Sequence, residues 1–185
     1  MNPFRRRDAS HMLVVGMAGV KLGDRFAQMG CANGGRLAAI ARQVGLSGHA
    51  VAVVPDEASA ARARKGAADA GVLVEIEIAP LTHVPLQDAG FDLVVVDETE
   101  GLLATMTAND RAATIREGWR LLRPGGRMMV IGGGQRAGVG ALFARSRSGP
   151  TLDANATLAA NGFRSVRTLA EREGLVFVEG IKPRQ

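Results

Sequence analysis

Apolar residues gather in short runs at 25–29, 50–54, 72–78, 91–96 and 127–131, each rich in Val, Ile, Phe, Ala or Met. Runs of this length, bounded by turn-forming residues, read as buried strands. The stretches between them at 36–44, 57–70 and 110–122 are rich in Ala, Leu and Arg and read as helices. In 110–122, Ile115, Trp119 and Leu122 recur at the i, i+4, i+7 spacing of one helical face, with Asn109 available as the N-cap. Arg123-Pro124-Gly125-Gly126 then supplies a turn, because proline stops a helix and glycine tolerates positive φ. Strands alternating with helices predict an α/β domain whose sheet is mostly parallel and covered on both faces.

The ends of the chain follow a different pattern. Residues 12–20 read as a short helix within an N-terminal segment 1–24, ahead of a single domain 25–185. Residues 132–150, rich in Gly, Arg and Ser, read as a long loop. A short helix at 153–161 is stopped by Gly162, and strands at 163–169 and 175–181 flank a turn at 171–174. Two strands joined this closely form an antiparallel hairpin.

Gly30-Cys31-Ala32-Asn33-Gly34-Gly35 joins the first strand to the first interstrand helix. A strand that turns through glycines into a helix aims backbone N–H groups and the positive end of a dipole at one space, which suits a carboxylate or phosphate. A length of 185 residues fits one domain, and no apolar run approaches the roughly eighteen residues that span a bilayer. Arg5-Arg6-Arg7 ahead of an apolar stretch superficially resembles a secretory signal, but no convincing small-residue cleavage site follows. With Cys31 as its one cysteine the chain has no internal disulfide or cysteine-based zinc site, and a cytoplasmic location is expected. The net charge of +5 would attract anions, yet 4% aromatic content and no tyrosine argue against a nucleic-acid stacking platform. The charge reads as a solvated surface.

Further segments keep a recognisable order: Gly19-Val20-Lys21-Leu22-Gly23-Asp24-Arg25, Phe91-Asp92-Leu93-Val94-Val95-Val96, and Leu121-Leu122-Arg123-Pro124-Gly125-Gly126-Arg127. Together with the glycine loop they resemble class I S-adenosylmethionine-dependent methyltransferases over nearly the whole chain. The resemblance implies a doubly wound, mostly parallel seven-stranded sheet, Rossmann-like, that ends in a reversed strand. It also implies S-adenosylmethionine as cofactor and a methyl acceptor as substrate. On that resemblance the cofactor-binding candidates are Gln28, Gly30, Cys31, Ala32 and Gly34 at the loop, Val54, Pro55 and Asp56 after the second strand, and Leu81 after the third.

Several of these depart from the family pattern D-x-G-x-G-x-G, which here reads Gln28-Met29-Gly30-Cys31-Ala32-Asn33-Gly34. Gln28 hydrogen-bonds but brings no negative charge, and Ala32 adds a methyl where the family has glycine. Val54 stands where the family places a ribose-binding acid, and the missing acceptor costs about 1–3 kcal/mol. Asp56 is its candidate replacement. Pro80 stands where many members have an adenine-binding Asp and offers neither a side-chain acceptor nor an N–H. Leu81 and Val84 would then form an apolar floor for the base.

Asp97, Glu98 and Glu100 follow the fourth strand, at the carboxyl edge where α/β sheets bind ligands. Asp97 is the candidate catalytic residue, as a proton acceptor, and Glu98 and Glu100 read as solvated loop charges. His11, His49 and His83 are scattered, so no metal site is expected. Two functions follow. One is methyl transfer to an unidentified small-molecule acceptor through an atypical pocket. The other is a catalytically inactive relative that serves as a binding or scaffolding partner, paired with an active relative or with an anionic molecule, and either function is compatible with a homo- or hetero-oligomer. No membrane partner is expected.

Overall fold

The computed structural model describes residues 3–133 and 152–184, with side chains from residue 11 onward. Helix α1 (Pro3–Ala18) precedes β1 (Arg25–Met29), α2 (Gly34–Val44), β2 (His49–Val54), α3 (Glu57–Ala70) and β3 (Glu75–Ile78). Then follow β4 (Phe91–Glu98), α4 (Ala108–Leu121), β5 (Leu122–Gly133), α5 (Ala154–Ala160), β6 (Arg164–Arg172) and β7 (Leu175–Ile181).

The seven strands lie in the order β3-β2-β1-β4-β5-β7-β6. Strands β1 to β5 run parallel and β7 runs antiparallel to both β5 and β6. Strand order reverses between β1 and β4, which opens a crevice at their carboxyl ends. Alternation along each strand feeds two cores. Phe26, Ala52, Leu93 and Val95 join Leu37 and Ile40 on the face that also buries Val14 of α1. Met29, Val53, Val94 and Val96 join Ile115, Leu121 and Phe163 on the other. Helices α2 and α3 touch backbone to backbone, since a Cβ built on Gly66 would lie 2.2 Å from the carbonyl carbon of Gly34.

The strands and helices expected from the apolar pattern are present, with several local differences. Strand β3 covers 75–78 rather than 72–78, because Gly71 caps α3 in the left-handed conformation and only Glu75 onward pairs with β2. Thr107, not Asn109, caps α4, its Oγ1 accepting from Asp110 N at 3.1 Å, and Asn109 falls inside the first turn. Residues 123–126 make their turn as an irregular bulge within β5, between the Phe91–Leu122 and Leu93–Arg127 pairings, with Gly125 at φ +78°. The hairpin turn tightens to Glu173 and Gly174, both at positive φ, which matches the right-handed twist of its strands. Helix α1 begins well before residue 12. Most of the loop expected at 132–150 lies outside the described residues. Among those described, no helix is long and apolar enough to cross a membrane.

Candidate functional site

Strand β1 ends at Met29, and the chain turns at Gly30 with φ +78°, a conformation that favours glycine. The Gly30 N–H donates to the Val53 carbonyl at 2.8 Å, and Leu102 covers the Cα so closely that a Cβ would lie 2.5 Å from its Cδ2. Asn33 begins α2, its Oδ1 accepting from Arg36 N at 3.1 Å. From the next strand, Asp97 reaches across the crevice. Its Oδ2 accepts from Ala32 N at 3.0 Å, and its two oxygens accept from Arg36 Nη2 at 3.1 and 3.2 Å. Thr99 Oγ1 donates to Asp97 at 2.6 Å and itself accepts from Arg36 Nη2. Asp97 is 3% exposed, so this is a shielded ion pair at the mouth of a helix.

A cation in the first turn of a helix faces the positive end of the helix dipole. No acid in the first turn of α2 offsets Arg36, so Asp97 does so from β4. Arg36 Nε is the one buried side-chain donor without a partner among the described residues. Arg62 closes the loop from α3, its Nε donating to the Cys31 carbonyl at 2.9 Å and its Nη2 to Ser59 Oγ at 2.9 Å.

Six of the candidates from the sequence meet here: Gln28, Gly30, Cys31, Ala32, Gly34 and Asp97. Gln28 is 1% exposed and donates through Nε2 to the Gly30 carbonyl at 2.9 Å, bracing the loop from its own strand. Burial, reinforced by the Asp97 charge, pushes the Cys31 thiol up to about 11, so it fills the turn as a protonated side chain. The other candidates come from the ends of β2 and β3. Val54 is fully buried in the core beneath α2 and α3, and Leu81 in the core of the opposite face. Pro55 and Asp56 are exposed. The Asp56 carboxylate caps α3, accepting from Ser59 N at 2.7 Å, and that bond is the largest cause holding its pKa below the usual carboxylate range.

Two acids at the end of β4 differ from one another. Glu100 is exposed and lies 3.9 Å from Arg62, as a solvated loop charge would. Glu98 is 7% exposed, a correction to the solvated reading: it accepts from Leu103 N and from Ala104 N at 3.0 Å, pinning the turn that follows β4. Burial raises its pKa, with the two amide bonds opposing. Arg36, Thr99 and Arg62 escaped the sequence reading. The lone cation opening an alanine-rich helix was the available signal for Arg36, because an unfavourable dipole contact requires an acid from elsewhere.

A family model described as "Methyltransferase domain" matches residues 26–126, which span β1 to the bulge in β5. The chain belongs to the class I S-adenosylmethionine-dependent methyltransferase family. Within the family it is 32% identical over 120 residues to a ubiquinone/menaquinone biosynthesis C-methyltransferase from Ralstonia pickettii, covering 65% of this chain and 47% of that protein. It is also 32% identical over 117 residues to the 27-O-demethylrifamycin SV methyltransferase of Amycolatopsis mediterranei, covering 63% of this chain and 41% of that one. The chain thus spans about half the length of the curated relatives it matches. A SAM-dependent methyltransferase from Aquifex aeolicus shares the fold, with TM-score 0.75, 18% identity and coverage of 97% of this chain and 93% of that one.

Membership of the methyltransferase family implies S-adenosylmethionine as cofactor, and the residues present fit it unevenly. At the loop the fit is good. Charges of both signs stand beside a helix N-terminus, and an unpartnered guanidinium N–H awaits an acceptor. Toward β2 and β3 the fit is poorer, since Val54 and Pro80 have no side-chain acceptor and Asp56, which has one, caps α3.

Proposed function

We propose that this methyltransferase-family chain transfers the methyl group of S-adenosylmethionine to a small-molecule acceptor. The observation that carries the reading is the loop at the switch point, with its positive-φ turn and its paired charges, in a chain of this family. When bound, the cofactor supplies a methyl group made electrophilic by its sulfonium. The 30–36 loop would hold the amino-acid end and Asp56 the ribose side. Alignment of methyl and acceptor is then the main task of the protein.

A cavity of about 140 Å³ supports an acceptor site at the carboxyl ends of β4 and β5, lined by Glu98, Val130, Gly132, Leu152, Asn155 and Val178. That is close to the roughly 150 Å³ known to hold a benzene ring. The relatives' names point the same way, one to ubiquinone and menaquinone biosynthesis and the other to a demethylrifamycin. Asp97 is held by Ala32, Arg36 and Thr99 as part of the loop. Glu98, raised by burial and lining the cavity, is better placed to take a proton from an acceptor hydroxyl.

The test supplies methyl-labelled S-adenosylmethionine with a panel of phenols and quinols and reads release of S-adenosylhomocysteine. Acceptor-dependent release supports the reading, and cofactor binding without release for any acceptor contradicts it. Glu98→Gln is expected to lower turnover by about 10²-fold. It should leave cofactor affinity unchanged. In the unsubstituted protein activity should rise with pH through a carboxyl value above the ordinary glutamate range, and the variant should lose that limb.

A further inference from the structure

We propose that Arg36 and Asp97 form a self-paired receptor for the amino-acid end of the cofactor, Asp97 taking the ammonium and Arg36 the carboxylate. The inference rests on the cofactor placement proposed above and assigns roles that the family pattern gives to other positions.

The family's acid at the end of β1 is Gln28 here, which brings no charge and donates one amide N–H to the Gly30 carbonyl. In the sheet Gln28 lies level with Val95 and Met29 with Val96, which puts Asp97 level with Gly30 on the adjoining strand. The negative charge lost from β1 therefore reappears one strand away, against the same loop. Its oxygens already hold the Ala32 N–H, so the carboxylate is fixed in place before any ligand arrives.

Arg36 supplies the other half. It has no counter-charge within the first turn of its own helix, and its Nε donor is buried without a partner among the described residues. A buried donor left unmade costs about 1–3 kcal/mol. A carboxylate seated on the guanidinium fork across Nε and Nη2 removes that cost. A zwitterionic head group carries one charge of each sign, so its entry exchanges the Arg36–Asp97 pair for two new pairs and leaves the net charge of the crevice unchanged. With Val54 and Pro80 contributing no acceptor toward the adenosine, the head group carries most of the selectivity.

Calorimetry on the full chain tests this with two probes, S-adenosylhomocysteine, which keeps the head group, and 5′-methylthioadenosine, which lacks it. On the unsubstituted protein S-adenosylhomocysteine is expected to bind about 100-fold tighter. Arg36→Met should weaken S-adenosylhomocysteine about 10- to 100-fold and leave methylthioadenosine within about twofold. The probe comparison on the unsubstituted chain needs no variant to fold, and circular dichroism verifies Arg36→Met. Equal affinities for the two probes overturn the inference while the cofactor reading stands. Tighter S-adenosylhomocysteine binding by Arg36→Met also overturns it, because the pair is then a plug. If neither probe binds at millimolar concentration, the cofactor reading fails and takes the inference with it.

Discussion

Asp97→Asn is expected to destabilise the protein by about 3 kcal/mol or more, the usual cost of removing one partner from a buried ion pair. Asp97 is 3% exposed, and Arg36 beside it is largely shielded. Asparagine keeps one acceptor oxygen for Ala32 or Thr99 but leaves the guanidinium with no counter-charge, at the positive end of a helix. Arg36→Met in the same chain removes the stranded charge, so the double variant should recover part of the loss. Urea unfolding of the four proteins measures this. Additive losses would show that the two side chains are not coupled, and the crevice would then lack the electrostatic unit described here.

Gly66→Ala is expected to lower the melting temperature by roughly 4–8 °C, corresponding to a net loss of about 2 kcal/mol. Helix propensity alone predicts the opposite sign, because alanine stabilises an exposed helix interior by about 1 kcal/mol over glycine. The difference is the neighbour. A Cβ at 66 would lie 2.2 Å from both the carbonyl carbon and oxygen of Gly34, and one at 34 would lie 2.1 Å from the Arg62 carbonyl oxygen. Both contacts are backbone, so no side chain can rotate away. Either methyl must wedge α2 from α3, and α2 carries the end of the glycine loop. A thermal melt of the variant that matches or exceeds the parent would show that the helices have room to separate.

These contacts mark where the sequence is readable and where it is not. Helix α3 lies at 57–70 and strand β7 at 175–181, as the apolar pattern predicts, because turn signals lie close to each. The hairpin was equally plain, since two apolar runs joined so closely have only one way to pair. Strand β3 starts later than the apolar run at 72–78 predicts. Val72 and Val74 look like strand residues, but they pack against the core ahead of the ladder, which begins only at Glu75. The cap of α4 lies two residues before the predicted one because Thr107 and Asn109 are both good caps and only the backbone turn decides between them.

The site was half visible. Gly30 and its loop stand out because strand, glycines and helix are contiguous in sequence. Arg36 and Asp97 are 61 positions apart, and no local periodicity can report their pairing. Glu98 looked solvated for the same reason, because the amides of Leu103 and Ala104 fold back over it only once the turn after β4 has formed. The missing carboxylate at Gln28 looked like a simple loss from the pattern. The parallel register of β1 and β4 places the Asp97 carboxylate level with Gly30 on the adjacent strand.

Titration of the unsubstituted chain with S-adenosylmethionine in a calorimeter tests the central claim most directly. Saturable one-to-one binding in the micromolar range is the expected result. No detectable heat at millimolar ligand would contradict the claim that the β1–β4 crevice of this methyltransferase-family domain receives the cofactor.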